Sequence, residues 1–280
     1  MKMKKILAVS GGIDSVVMLH LLKDEKPAPI VAHFDHGIRS NSRQDAEFVE
    51  CLAKEYGLRF EIQRANLGKD CSEADARASR YEFLSRLARE NNAAICVAHH
   101  ADDVLESIVI NLIRGTGWRG LAPMMAKGIE RPLLKWRKKD IYRYATEHNL
   151  AFRQDQTNTE GDYLRNRVRE KMRDLPEANK EQLLELYEQQ ITLARECADI
   201  LAAIFEGADS DYVSKSLIND VPSECAEEIM RFYLAKHDIR LTRPQLKKCI
   251  DAVEKYAPSK RLSLNRDHFL EISKYSFRVI

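Results

Sequence analysis

Long apolar runs are missing from this chain of 280 residues. No window approaches the roughly 18 continuous apolar residues of a membrane span, so no bilayer role is expected. Paired cysteines are missing as well: the six stand at 51, 71, 96, 197, 225 and 249, without a CxxC. That spacing argues against a disulfide frame or a cysteine zinc site and fits reduced thiols in a cytoplasmic setting. The basic start MKMKK leads into an apolar run that breaks at Ser10 and Gly11, too short for an export signal. Repeats and low-complexity tracts are absent too. The stretch SGGIDS (10–15), directly after KILAV, has the glycines and serines of a phosphate-binding turn but no lysine. The missing lysine argues against the GxxxxGK[ST] loop, the spacing is not GxGxxG either, and any phosphate held there needs its charge neutralised from elsewhere.

What is present is the composition of a folded soluble chain, with 31% charged and 44% apolar residues. The length suits one large domain or two modest ones. The net charge of +2 conceals an asymmetry: residues 114–173 hold 15 Lys or Arg against 7 Asp or Glu, a local net of +8. A negatively charged partner should meet that segment.

Short β-branched runs at 5–9, 29–34, 59–63 and 94–99 alternate with helical patterns at 15–23, 42–56, 72–91 and 102–114. The pattern predicts βαβ units on a parallel sheet. In the second helix Ala46, Val49, Leu52 and Ala53 should face inward. GTGWRGLAPMMAKG (115–128) reads as an irregular functional loop, and GIERPLL as a short strand. A basic helix over 136–148 should bury Ile141, Tyr144 and Ala145 and leave Arg137, Lys138, Lys139 and Arg143 in water. After Pro176 the chain reads as nearly all helical to about 256, then as two or three short strands. The expected division is therefore a catalytic α/β domain over 1–175 and a mostly helical domain over 176–280.

A strand turning through Gly11-Gly12 into a helix presents free backbone N–H groups to an anion. Ser10 and Ser15 can add hydroxyls, while Asp14 would repel phosphate unless a magnesium ion is shared between them. His99, His100, Asp102, Asp103 and Glu106 stand where a strand ends and a helix begins, the usual place for sites in open parallel sheets. Asp102 and Glu106 share a helix face, and such carboxylates suit magnesium better than zinc. A zinc reading of His33, His36, His99 and His100 finds no well-placed cysteine. Arg39, Arg77, Arg80 and Arg114 can supply the charge the turn lacks. Gly115 and Gly117 would let the following loop pass close to a ligand.

The string SGGIDS resembles the pyrophosphate loop of the ATP pyrophosphatase (PP-loop) superfamily. With HFDHGIR (33–39), ADARASRYEFL (74–84), AHHADDVLES (98–107), LIRGTGWRGLAPM (112–124) and QDQTNTEGDYLRNRVR (154–169), most of residues 5–173 looks like the tRNA(Ile)-lysidine synthase family. The resemblance implies a parallel-sheet adenine nucleotide α-hydrolase-like fold and a cytoplasmic ligase using ATP and Mg2+. It implies joining of L-lysine to C2 of the wobble cytidine of tRNA(Ile) with a CAU anticodon, through an O2-adenylated base. Pyrophosphate and AMP would be released.

On the same resemblance Ser10, Gly11, Gly12, Ile13, Asp14, Ser15, His33 and Gly115 would hold the nucleotide, and Asp14 and Asp103 the metal. Asp14, His33, Arg39, Arg77, Arg80, His99, Asp103, Glu106, Arg114 and Asp155 would form the catalytic set. Arg137, Lys138 and Lys139 are expected on tRNA. Arg165, Arg167 and Arg169 are expected either on tRNA or as ties locking the acidic loop to the site. The acceptor of the lysine proton stays open among Asp35, Asp103, Glu106 and Asp155. Ser107 departs from the threonine common in the family and keeps its hydroxyl. A tRNA thiolase shares the activation step but normally needs reactive cysteines; amide synthesis on a small metabolite and a non-catalytic RNA-binding role are the other readings. A homodimer is compatible with a long RNA substrate.

Overall fold

The computed structural model describes residues 2–37, 42–65, 72–126, 128–153, 163–206, 212–255 and 259–280. Contacts divide the chain into two compact units, Met1–Ile191 and Thr192–Ile280. In the first, β1 (Lys4–Ala8), α1 (Ile13–Leu22), β2 (Ile30–Asp35), α2 (Ser42–Glu55), β3 (Arg59–Arg64) and α3 (Glu73–Asn91) follow one another. Then come β4 (Ala93–Cys96), α4 (Ala101–Ile113), a 3-10 turn (Trp118–Leu121), β5 (Ile129–Glu130), α5 (Lys138–Glu147) and α6 (Tyr163–Arg173). The long helix α7 (Glu177–Glu206) begins in this unit and crosses into the next.

The five strands pair in parallel in the order β3-β2-β1-β4-β5. Alternation along β1 feeds both faces: Leu7 packs with Val16, Val17, Val49 and Ile141, whereas Ile6 packs with Phe83, Leu84 and Leu87. Thus α1, α2 and α5 cover one face and α3 the other, burying both sides as parallel sheets require. Each large side chain fully buried there contributes about 1.5–3 kcal/mol of apolar transfer. The boundaries of α3 have local causes. Ser72 Oγ accepts the Asp75 amide at 3.1 Å at the start, and Asn92 ends the helix in a left-handed conformation at φ 46.

The strand order reverses direction at β1, with β2 on one side and β4 on the other. This is the switch point at which open α/β sheets form their crevice, beyond the carboxyl ends of the strands. The residues that follow β1 and β4, SGGIDS and AHHADDVLES, are therefore delivered to the same place.

The second unit contains the end of α7, β6 (Val213–Ser214), α8 (Ser216–Asn219), α9 (Ser223–Lys236), α10 (Arg243–Lys255), β7 (Lys260–Ser263), β8 (Phe269–Ile272) and β9 (Ser276–Val279). Its strands form an antiparallel sheet in the order β6-β9-β8-β7. A separate core of Met230, Tyr233, Leu246, Val253, Leu270 and Phe277 lies between helices and sheet. Among the described residues, no helix is long and apolar enough to cross a membrane.

Candidate phosphate and activation site

A cavity of about 1130 Å³ opens at the switch point within the first unit. Its wall includes Ser10, Gly12, Ile13, Asp14 and Ser15 from the turn after β1, and His99, His100, Asp102, Asp103 and Glu106 from the turn after β4. The turn after β1 is held internally. Ser15 Oγ donates to the Gly12 carbonyl at 2.8 Å and accepts the Ser10 and Gly11 amides at 3.1 and 3.2 Å. The Gly11 carbonyl accepts the Arg153 amide at 2.9 Å. Gly11 takes φ +93, a conformation that L side chains avoid. With Ser15 occupied in shaping the loop, the anion-binding capacity lies in the first turn of α1, whose N–H groups have no carbonyl four residues back to bond.

His100 is the hub of the acidic wall. It is buried, and its Nε2 lies 3.8 Å from Asp14 Oδ1 and 3.6 Å from Asp103 Oδ2. Its amide donates to Asp103 Oδ2 at 2.9 Å, fixing the start of α4. Asp14 and Asp103 thus converge from different elements on one imidazole. The adjacent His99 also lines the cavity, and its Nδ1 is buried without a hydrogen-bond partner. Burial, together with nearby Arg131, Arg77 and Arg80, pushes its imidazole down to about 3. His99 is neutral at physiological pH.

The other two acids are committed to ion pairs. Asp102 accepts Arg137 Nε at 3.0 Å and Nη2 at 2.8 Å, and also the Lys138 amide at 2.7 Å. Burial alone would raise its carboxyl, but the Arg137 and Lys138 hydrogen bonds hold it below the usual carboxylate range. Glu106, buried on α4, meets Arg169 of α6 through Nε at 2.7 Å and Nη2 at 3.0 Å. Arg165 lies 3.9 Å from the same carboxylate. Of the two roles open to this arginine set, Arg169 therefore takes the tie.

Several expected site residues lie elsewhere. His33 is buried under the site with Nδ1 2.8 Å from the Val9 carbonyl, and it does not line the cavity. Desolvation lowers its pKa, so it too is neutral. Arg114 and Gly115 follow the far end of α4, about 12 Å along the helix beyond Glu106 at 1.5 Å per residue, and do not line the cavity. Arg77 is exposed and stacks over Tyr81 at 4.9 Å, leaving Arg80 as the α3 arginine on the cavity wall. Arg137 is not in water: its side chain is 15% exposed and bridges Asp102 to Glu177. Lys138 also turns inward, with Nζ 2.5 Å from Asp14 Oδ1. Lys139 and Arg143 are the members of this basic run that reach the surface. Arg39 and Asp155 lie outside the described residues.

Lys138, Arg153 and Lys180 line the cavity without having been expected there. A signal for Lys138 existed. Positions 138, 141 and 145 share one helix face, and Ile141 and Ala145 are buried. Arg153 and Lys180 offered no comparable periodic cue: Arg153 is drawn in by a tertiary contact with Asp45, whereas the ion pair of Lys180 with Glu177 is local to α7.

A parallel α/β sheet with a lysine-free glycine turn at its switch point, ringed by carboxylates and cations, defines an α/β protein of the phosphate-handling class. Residues 1–175 match the family model described as PP-loop domain, and the chain belongs to that family. It is 39% identical over 180 residues to tRNA(Ile)-lysidine synthase of Thermotoga maritima, covering 60% of this chain and 44% of that one. It is 37% identical over 183 residues to the Bifunctional protein TilS/HprT of Listeria monocytogenes, covering 59% and 28%. The chain thus spans less than half the length of these curated relatives. The U34-tRNA thiolase NcsA from Methanococcus maripaludis has the same fold, with a TM-score of 0.57 at 20% identity over 68% of this chain and 72% of that one.

Proposed function

We propose that the protein joins L-lysine to C2 of the wobble cytidine of a CAU-anticodon isoleucine tRNA, using ATP to adenylate O2 of the base. The observation that carries this reading is the convergence of SGGIDS and AHHADDVLES on one cavity, in a chain 39% identical over 180 residues to a tRNA(Ile)-lysidine synthase. Oxide is a poor leaving group from C2; adenylation turns it into a phosphate ester whose departure as AMP is facile. The cavity lining supports the adenylation half of this reaction. The first turn of α1 receives phosphate oxygens, and Arg80 and Lys138 bring positive charge to the pyrophosphate that leaves.

A magnesium ion fits the donor set. Asp14 and Asp103 are oxygen ligands of different elements converging near His100, and magnesium uses one or two carboxylates with phosphates and waters. When bound, it would supply charge shared between those carboxylates and the phosphate oxygens. The lysine amine must lose a proton before attack. Asp103 remains a candidate acceptor on the cavity wall, whereas Glu106 is engaged by Arg169. His99, neutral and on the cavity wall, is suited to contact the base or the nucleotide without repelling a cation. Lys139, Arg143 and Arg167 are the basic side chains suited to meet RNA phosphates.

A thiolase reading is disfavoured by the cysteines. Among the described residues none lines the cavity, and burial pushes the Cys96 thiol up to about 12, far from a reactive thiolate. The deciding experiment supplies ATP, magnesium, radiolabelled lysine and CAU-anticodon tRNA transcripts. Label in RNA supports the proposal; sulfur transfer from a donor without lysine incorporation defeats it.

A further inference from the structure

We propose that Lys138 is the phosphate-site lysine that the turn itself lacks, delivered from a distant helix and parked on Asp14 until the metal and the nucleotide arrive. The inference rests on the nucleotide-binding part of the reading above.

Among the cations on the cavity wall, three are held by acids outside the phosphate turn. Arg169 is held by Glu106, Arg153 by Asp45 and Lys180 by Glu177. Lys138 differs because its partner, Asp14, is the second residue of α1 and belongs to the turn itself. The ammonium therefore occupies the position beside Asp14 that a divalent cation would need. The pair is weakly bound: the two side chains are 36% and 31% exposed, and partly solvated ion pairs exchange readily.

The backbone beneath this side chain is fixed. The Lys138 amide donates to Asp102 Oδ2 at 2.7 Å, and Arg137 ties the same carboxylate to Glu177. Only the flexible four-carbon stem is left to swing. When magnesium takes Asp14, the displaced ammonium has the phosphates of the same ligand within reach. Lys138 thus serves two states: it neutralises Asp14 in the empty site and adds charge to the phosphates in the filled one.

A two-signed measurement tests this. Calorimetric titration of Mn2+ without nucleotide, and of magnesium-ATP and magnesium-pyrophosphate, is compared for the wild type, Lys138→Met and Lys138→Arg. Losing the resident ammonium should tighten Mn2+ binding several-fold in Lys138→Met, while ATP and pyrophosphate weaken roughly tenfold and tRNA affinity holds. Lys138→Arg should recover most of the ATP affinity. Weakening of Mn2+, ATP and pyrophosphate together in Lys138→Met would indicate structural damage and overturn the proposal, as would unchanged ATP and pyrophosphate affinity or a loss confined to tRNA. Wild-type protein that binds pyrophosphate but not ATP would sink the nucleotide reading while leaving the pyrophosphate comparison to judge Lys138. Wild-type protein that binds neither would sink both.

Discussion

Glu106 on α4 and Arg169 on α6 form a two-pronged ion pair, with contacts of 2.7 and 3.0 Å, that joins the activation helix to the segment after the acidic loop. The carboxylate is 7% exposed and the guanidinium 36%, so the acid depends on its partner more than the reverse. Arg169→Ala should leave Glu106 buried with reduced compensation and cost about 1–3 kcal/mol, less than for a fully buried pair because water reaches the arginine. Glu106→Gln with Arg169→Met should cost less than the two single changes added together. Chemical denaturation of the four proteins checks this, and simple additivity would show that the pair does not couple the helices.

The neighbouring residues Arg137 and Lys139 should behave oppositely, although both belong to one basic run. Arg137 braces Asp102 and Glu177 from a nearly buried position, whereas Lys139 is 72% exposed. Arg137→Ala should lower stability by about 2 kcal/mol, because it strands a half-buried carboxylate. Through the anchored Lys138 amide it should also weaken ATP binding. Lys139→Ala should alter stability by less than about 0.5 kcal/mol and reduce the salt dependence of tRNA binding. Denaturation together with RNA titrations at two salt concentrations separates them.

The sheet and most helices were legible because periodicity reports burial. Ala46, Val49, Leu52 and Ala53 are the buried set of α2, as their spacing predicts. The two chemistry-bearing turns were legible because residue type and position after a strand limit what a loop can do. Charge was misread where tertiary partners decide its fate. Arg137 and Lys138 look like a wet basic stripe until Asp102 and Asp14, 35 and 124 residues away in sequence, are brought to them. Arg114 and Gly115 stand off the cavity wall for a simpler reason: the second half of α4 carries the chain away from Glu106 before it reaches them.

His99 predicts a pH effect with a definite sign. Its folded pKa, about 3, lies below the ordinary 6.5, so the unfolded chain binds its proton more readily. The stability it contributes is fully present above about pH 6.5 and is lost as pH falls from there towards 3. Relative to pH 8, the loss at pH 5 should be on the order of 1–2 kcal/mol. His99→Gln should flatten that part of the profile. Denaturation midpoints of wild type and variant from pH 8 to 4.5 provide the measurement. Parallel profiles would mean that the imidazole is protonated at no cost.

Gly11 and Gly12 should respond differently to one added methyl group. Gly11 sits at φ +93, where a Cβ would also touch Phe48, Val49 and Arg153 at 3.4–3.6 Å, so Gly11→Ala is strained whatever the space. A loss of about 1–2 kcal/mol is expected from the backbone alone. Gly12 has φ −70, and its Cβ would meet Ser10 Oγ at an ordinary 3.6 Å. Gly12→Ala should therefore fold with stability within about 0.5 kcal/mol of wild type. Gly12 nevertheless lines the cavity beside Asp14, where backbone must approach phosphate closely, and the methyl group should reduce ATP affinity by about tenfold. Thermal melts paired with ATP titrations read both quantities. If Gly12→Ala bound ATP normally, the phosphates would have to sit elsewhere than at the first turn of α1.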